Sequence, residues 1–156
     1  MRVTICAIGR LNARSAERDL IDDYVARFDQ TGRGLGWGPI SEVELDDRKS
    51  AGMVSEAALL RKAIPKGALL VTMDERGKLL SSPDFSKKME TWADQGRDVA
   101  FVIGGADGID PSLRAEADFS ISLGQMVWPH KLVRVMLAEQ LYRAAAIRAG
   151  TPYHRA

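Results

Sequence analysis

The most constraining feature of this chain is an alternation: short, nearly all-apolar runs are separated by longer stretches whose apolar residues recur at helical spacing. Parallel strands joined by crossover helices require this pattern, because a strand covered by helices on both faces has no polar side. Five runs predict strands, at about residues 2–8, 40–45, 68–73, 99–103 and 119–123. The first and fourth are apolar almost throughout. The second interleaves Ile40, Val43 and Leu45 with Glu42 and Glu44, which predicts a place near a sheet edge.

Between the runs, residues 15–28 gather Leu20, Ile21, Tyr24, Val25 and Phe28 on one helical face, and residues 53–64 do the same with Val54, Ala57, Leu60 and Ile64 before Pro65 and Gly67 stop the helix. Ser82-Pro83-Asp84 opens a helix that carries Phe85, Met89 and Trp92 inward and ends near Gly96, and Asp110-Pro111 opens a shorter one. The last helix, residues 130–148, wraps Leu132, Val133, Val135, Met136, Leu137, Leu141, Tyr142, Ala145 and Ile147 around more than half its circumference. Such a helix is either central or shared with a second subunit, and a shared helix in a homodimer is the expectation. Residues 31–39 are Gly-rich but lie between a helix and a strand. They match neither a dinucleotide fingerprint nor a phosphate loop and read as a flexible connector.

A length of 156 residues with 46% apolar and 28% charged side chains fits one domain over residues 1–156, and excludes a disordered chain or a disulfide scaffold. The single Cys6, in an apolar run, reads as a buried thiol. Twenty-two Lys and Arg against 21 Asp and Glu exclude binding of nucleic acid by bulk charge, so any such role must be local. Gly9 and Arg10 interrupt the N-terminal apolar run before a signal-peptide core can form, and no run is long enough to span a membrane. The expectation is a cytoplasmic protein with no membrane partner.

Ligands of parallel α/β sheets bind where strands end at the carboxyl edge, which directs attention to the segments after Met73, Ile103 and Leu123. After Ile103, Gly104-Gly105-Ala106-Asp107-Gly108 lets a backbone turn sharply and approach a ligand. After Leu123 comes Gly124-Gln125-Met126-Val127-Trp128-Pro129-His130, apolar where loops are normally polar. It suits the wall of a pocket for a flat heterocycle, or else a loop folded into the core. From Trp128 onward, Lys131, Arg134, Arg143, Arg148 and Arg155 face one acid, Glu139, and Tyr142 and Tyr153 lie among them. Arginines with aromatic faces suit looped RNA, although a solvated helix flank explains the charges as well. The tail through Tyr153, His154 and Arg155 concentrates polar chemistry that a frayed terminus rarely carries, unless that end is docked at a site.

Together these segments resemble the RlmH family of SPOUT-class methyltransferases, which methylate N3 of a pseudouridine in 23S (large-subunit) ribosomal RNA. The resemblance spans essentially the whole chain. It is carried most specifically by Ile103-Gly104-Gly105 with Gly108, Leu123 through Pro129-His130, Leu132-Val133-Arg134, Glu139-Gln140-Leu141-Tyr142-Arg143-Ala144, and Pro152-Tyr153-His154-Arg155. Trp128 stands where an aliphatic residue is expected, and Lys131 where some members have proline. The resemblance implies an α/β fold, a mostly parallel sheet flanked by helices with a C-terminal deep trefoil knot. It implies S-adenosylmethionine as methyl donor, held by Met73, Gly105, Leu123, Gly124, Gln125, Met126, Val127, Trp128 and Pro129, with no metal. It also implies a homodimer acting on ribosomal RNA within the ribosome.

A methyl transfer to N3 requires loss of a proton, for which His154 is the best candidate base by chemistry. Arg155 and Arg143 would stabilise negative charge or hold phosphates, and Tyr153 would stack or hydrogen-bond; His130, at a helix start, is the weaker candidate. Two other classes compete. A nucleotide- or flavin-binding protein explains the pocket but not the basic tail. A non-catalytic RNA-binding module explains the tail but not the apolar loop.

Overall fold

Each apolar run becomes a strand of one parallel sheet in the computed structural model, which describes residues 1–46 and 52–155. The expected unit of residues 1–156 therefore includes stretches, 47–51 and Ala156, that lie outside the described residues. The strands are β1 (Val3–Ile8), β2 (Ile40–Leu45), β3 (Leu69–Leu79), β4 (Val99–Ile103) and β5 (Phe119–Ser122), in the spatial order β2-β1-β4-β3-β5. All pairs are parallel, so every strand delivers its following loop to the same edge. As the charge alternation predicted, β2 is an edge strand, while β1 and β4 are buried throughout.

Among the described residues, five helices cover the two faces. The helices α1 (Ala16–Arg33), α3 (Ser82–Asp94) and α5 (His130–Ala149) close over Val3, Ile5, Val71, Val99 and Phe101 with Phe28, Phe85, Met89, Trp92, Leu137 and Leu141. On the opposite face α2 (Met53–Ala63) and α4 (Pro111–Glu116) set Ala57, Leu60 and Leu113 against Cys6, Ile8, Leu70 and Val102. Cys6 is fully buried, and burial pushes its thiol up to about 11, which keeps it protonated and unreactive. The caps follow the sequence: Ser15 accepts from the Arg18 amide, Asp110 from Ser112, and Ser81, one residue ahead of the expected start, from Asp84. Among the described residues, no helix is long and apolar enough to cross a membrane.

Some expectations change. The width of α5's apolar face is largely explained within the chain, because the helix lies between α1 and α3 and buries Leu137, Ala138, Leu141, Ala144, Ala145 and Ala146. Leu20 and Val54, expected to face inward, are 45% and 74% exposed. The Gly-rich stretch is docked rather than loose. Residues 31–33 complete α1, Trp37 is 4% exposed and donates through its amide to the Gly32 carbonyl at 2.9 Å, and Gly38 N–H donates to the Met1 carbonyl at 2.7 Å. A Cβ on Gly32 would lie 2.6 Å from the Trp37 carbonyl oxygen, so glycine serves close packing here, which composition alone reads as flexibility.

The basic C-terminal segment is also less basic than it reads. Arg134 is 1% exposed, pairs with Glu44 of β2 at 2.6 Å and donates to the Gly9 carbonyl at 3.0 Å. Arg143 pairs with Glu139 at 2.7 Å and Arg148 with Glu90 at 3.1 Å. A count along the chain misses partners that only the fold supplies.

Candidate active site

The three loops singled out by the sequence meet at the carboxyl edge of the sheet. They line a cleft of about 560 Å³ that includes Met73, Gly105, Leu123, Gly124, Met126, Val127, Trp128 and Pro129. Of the nine residues expected around a cofactor, only Gln125, exposed on the same loop, is not in its wall. Met126 and Val127 are 73% and 80% exposed, so the apolar loop is not folded into the core. Trp128, 41% exposed, is steadied by an indole N–H donated to the Leu123 carbonyl at 3.3 Å.

One wall was not legible. The apolar run of β3 ends near Met73, yet the strand continues to Leu79, and both Met73 and Lys78 stand opposite Ile121 of β5. Residues 74–77 therefore leave the ladder as a bulge, and Asp74, Glu75 and Arg76 line the cleft. Gly77 makes the return possible, since a Cβ there would sit 2.7 Å from the Ile121 backbone.

The turn after β4 is tight: Gly108 N–H donates to the Gly105 carbonyl at 3.0 Å, and Gly108 holds φ 83°. A Cβ on Gly104 would lie 2.6 Å from the Gly108 carbonyl oxygen, whereas one on Gly105 would meet the Glu56 carboxylate at 2.8 Å and Ile8 at 3.2 Å. Substitution at Gly105 thus presses on α2 and β1 rather than straight into the cleft. Gly104→Ala is the sharper test of the turn. It is expected to displace the Gly105 and Gly108 backbone and weaken binding of S-adenosylmethionine at least tenfold in a calorimetric titration, with the circular-dichroism spectrum retained.

The tail is held against α5. Tyr153 donates to Glu139 Oε1 at 3.0 Å, Arg143 Nε donates to the same oxygen at 2.9 Å, and the Tyr142 and Tyr153 rings lie 4.5 Å apart. Burial, then the Glu139 hydrogen bond, pushes the Tyr153 phenol up to about 12, so it is a hydrogen-bond donor at neutral pH. Arg143 Nη1 lies 3.2 Å from His154 Nδ1. Guanidinium has no acceptor, so that ring nitrogen carries the lone pair and Nε2 carries the proton. Arg155 is exposed.

Glu139 is the hub that the sequence reading passed over, although its spacing of four from Arg143 on a helix was a usable signal. It also lines a second, apolar cleft of about 540 Å³ with Leu20, Tyr24, Met136 and Gln140. Tyr153, His154, Arg155 and Arg143 line neither cleft, so one chain does not bring the tail to the cleft formed by the three loops.

An edge-of-sheet cleft built from strand-end loops is where parallel α/β proteins bind a ligand or cofactor, and here α5 returns between two earlier helices to close its far side. Residues 1–154 match the family model described as "Predicted SPOUT methyltransferase", and the chain belongs to the SPOUT methyltransferases. The trefoil knot expected of the C-terminal part goes with that membership. Full-length similarity narrows the group: proteins named Ribosomal RNA large subunit methyltransferase H from Ruegeria pomeroyi and Ruegeria sp. (strain TM1040) are 70% and 67% identical over 156 residues, with 99% of each chain covered. This bears out the RlmH resemblance. A probable methylase family protein from Haemophilus influenzae Rd KW20 shares the fold, with a TM-score of 0.56 at 10% identity over 99% of this chain and 70% of that one.

Proposed function

We propose that this chain transfers the methyl group of S-adenosylmethionine to N3 of a pseudouridine in 23S ribosomal RNA, acting as a cytoplasmic homodimer on the assembled ribosome. The observation that carries the reading is the cleft, where eight of the nine residues expected around the donor meet. Its fit rests on geometry. The volume suits a nucleoside-sized ligand, Met126 and Val127 offer apolar surface that the core does not use, and the tight turn from Gly104 to Gly108 places backbone in the wall. When bound, the donor supplies an electrophilic methyl on a sulfonium.

The chain's own part is orientation, exclusion of water and stabilisation of charge. N3 loses its proton and gains the methyl, so negative charge builds on the flanking carbonyl oxygens. The Nε2–H of His154 and the Arg155 guanidinium are donors suited to that charge, while the Tyr153 hydroxyl, committed to Glu139, holds the tail in place. As docked, the tail offers donors rather than a free base, and the proton leaves to solvent. A second copy, seated on the apolar surface of Leu20, Tyr24 and Met136, would bring its tail to the cleft that one chain leaves incomplete.

The substrate is tested by comparing purified ribosomes, isolated large subunits and a synthetic pseudouridine stem-loop. Efficient methylation of a particle and at least a hundredfold lower kcat/KM on the stem-loop is the expected outcome, since a net charge of +1 supplies little general attraction. Equal efficiency on the bare stem-loop removes the particle requirement, and absence of donor-dependent methylation on all three removes the proposed function.

A further inference from the structure

The arginines that sequence alone assigned to RNA are largely held by the chain's own acids, which raises the question of which cations are left to meet phosphates. The loop after β1 answers it. Its backbone is fixed on both sides of Arg10: the Gly9 carbonyl accepts from Arg134 of α5 at 3.0 Å, and the Leu11 amide donates to Glu44 of β2 at 2.8 Å. Arg10 between them is exposed. Arg14 is exposed too, on a turn closed by its amide donating to Asn12 Oδ1 at 2.8 Å, immediately before the Ser15 cap. Lys131, exposed in the first turn of α5, is two residues from Val133 in the wall of the cleft formed by the three loops.

Among the described residues, Arg10, Arg14 and Lys131 form no ion pair, whereas Arg18, Arg134, Arg143 and Arg148 all do. β1 lies beside β4 in the sheet, so its loop emerges next to the glycine turn of the cleft, and Arg134 ties it to the helix that follows the apolar loop. We propose that Arg10 and Arg14, with Lys131, form a pre-positioned phosphate-binding rim that seats the RNA backbone beside the cleft. The inference rests on the RNA-methylation reading above. A rim of this kind contacts phosphates and carries no base identity, so it acts on the affinity for RNA and not on the chemical step.

The test compares the wild type with Arg10→Gln/Arg14→Gln, the same pair with Lys131→Gln, and a control, Lys62→Gln/Lys66→Gln, whose exposed lysines lie near the amino edge of the sheet. Methylation of purified ribosomes is measured over a range of salt concentrations, and S-adenosylmethionine affinity is measured alongside. The rim predicts that the double variant raises KM about tenfold with kcat and donor affinity retained, and that the log–log salt dependence becomes shallower by roughly 0.7–0.9 for each lost phosphate contact. The triple variant should extend both effects and the control should show neither. Unchanged KM and slope, an equal loss in the control, or a loss of donor affinity each overturns the rim. A wild type that methylates no ribosomal substrate instead overturns the functional reading on which the rim depends.

Discussion

Replacing His154 by alanine is expected to lower kcat on ribosomes by roughly 10²–10³-fold while S-adenosylmethionine binds as before. The expectation follows from the tail geometry: Arg143 occupies Nδ1 of the imidazole, which leaves Nε2–H as the group offered to a substrate. A donor can be imitated, a base cannot. His154→Gln, whose amide N–H reaches a similar position, should therefore recover a substantial part of the rate, whereas a histidine acting as proton acceptor would make Gln as inactive as Ala. The same variant tests the dimer. Co-expressed with Gly104→Ala, which keeps a sound tail but a damaged cleft, His154→Ala should, at a donor concentration too low to fill the damaged cleft, yield more activity than either variant alone, because a mixed dimer pairs one intact cleft with one intact tail. No recovery in a purified mixed dimer would place cleft and tail in the same chain.

Arg134→Ala should cost about 3–5 kcal/mol in unfolding free energy by urea denaturation, the largest stability effect expected of a single substitution here. The guanidinium is 1% exposed and forks between Glu44 and the Gly9 carbonyl. Removing it leaves that carbonyl without its partner, and leaves Glu44 with the Leu11 amide and Arg18 at 3.7 Å. Arg134→Lys, which keeps the charge but not the fork, should fall between. A pH dependence accompanies this. Burial of Glu44 favours its protonated form, but the Leu11 amide, Arg134 and Arg18 outweigh burial and hold the carboxyl below its usual range. The folded value is thus below the unfolded one, so the contribution is fully present above about pH 4.3 and fades as pH falls through the folded value. Wild-type stability should drop on acidification below that point, and the Arg134→Ala curve should be flatter there.

Much of this architecture was legible because strands and helices carry their burial in their spacing. The β4 and β2 boundaries were read as they stand, and the apolar loop announced itself by Met126, Val127 and Trp128 lying where solvent normally requires polar side chains. What was illegible depends on partners remote in sequence. The acid for Arg134 is 90 positions away, on the edge strand, and no local pattern points to it. Residues 74–77 read as the end of a strand because the apolar run stops at Asp74, Glu75 and Arg76, and only the pairing of Lys78 with Ile121 shows that the strand resumes. Trp37 likewise needed the first residue of the chain beside it before its Gly-rich surroundings could be read as packing.

Because Met73 and Lys78 share one partner in β5, the sheet does not register how many residues lie between them. The span over the cleft mouth is consequently a length parameter that can change without moving a strand. Adding or deleting a residue between Asp74 and Arg76 would alter the reach of the wall while Gly77 still closes over Ile121 and the ladder resumes in the same alignment. Selection, or an engineer, can therefore resize what the cleft admits at this position while the threading of the C-terminal part stays untouched. In most parallel sheets the dimensions of a pocket are bound to the register of the strands that carry it; here the two have been made independent variables.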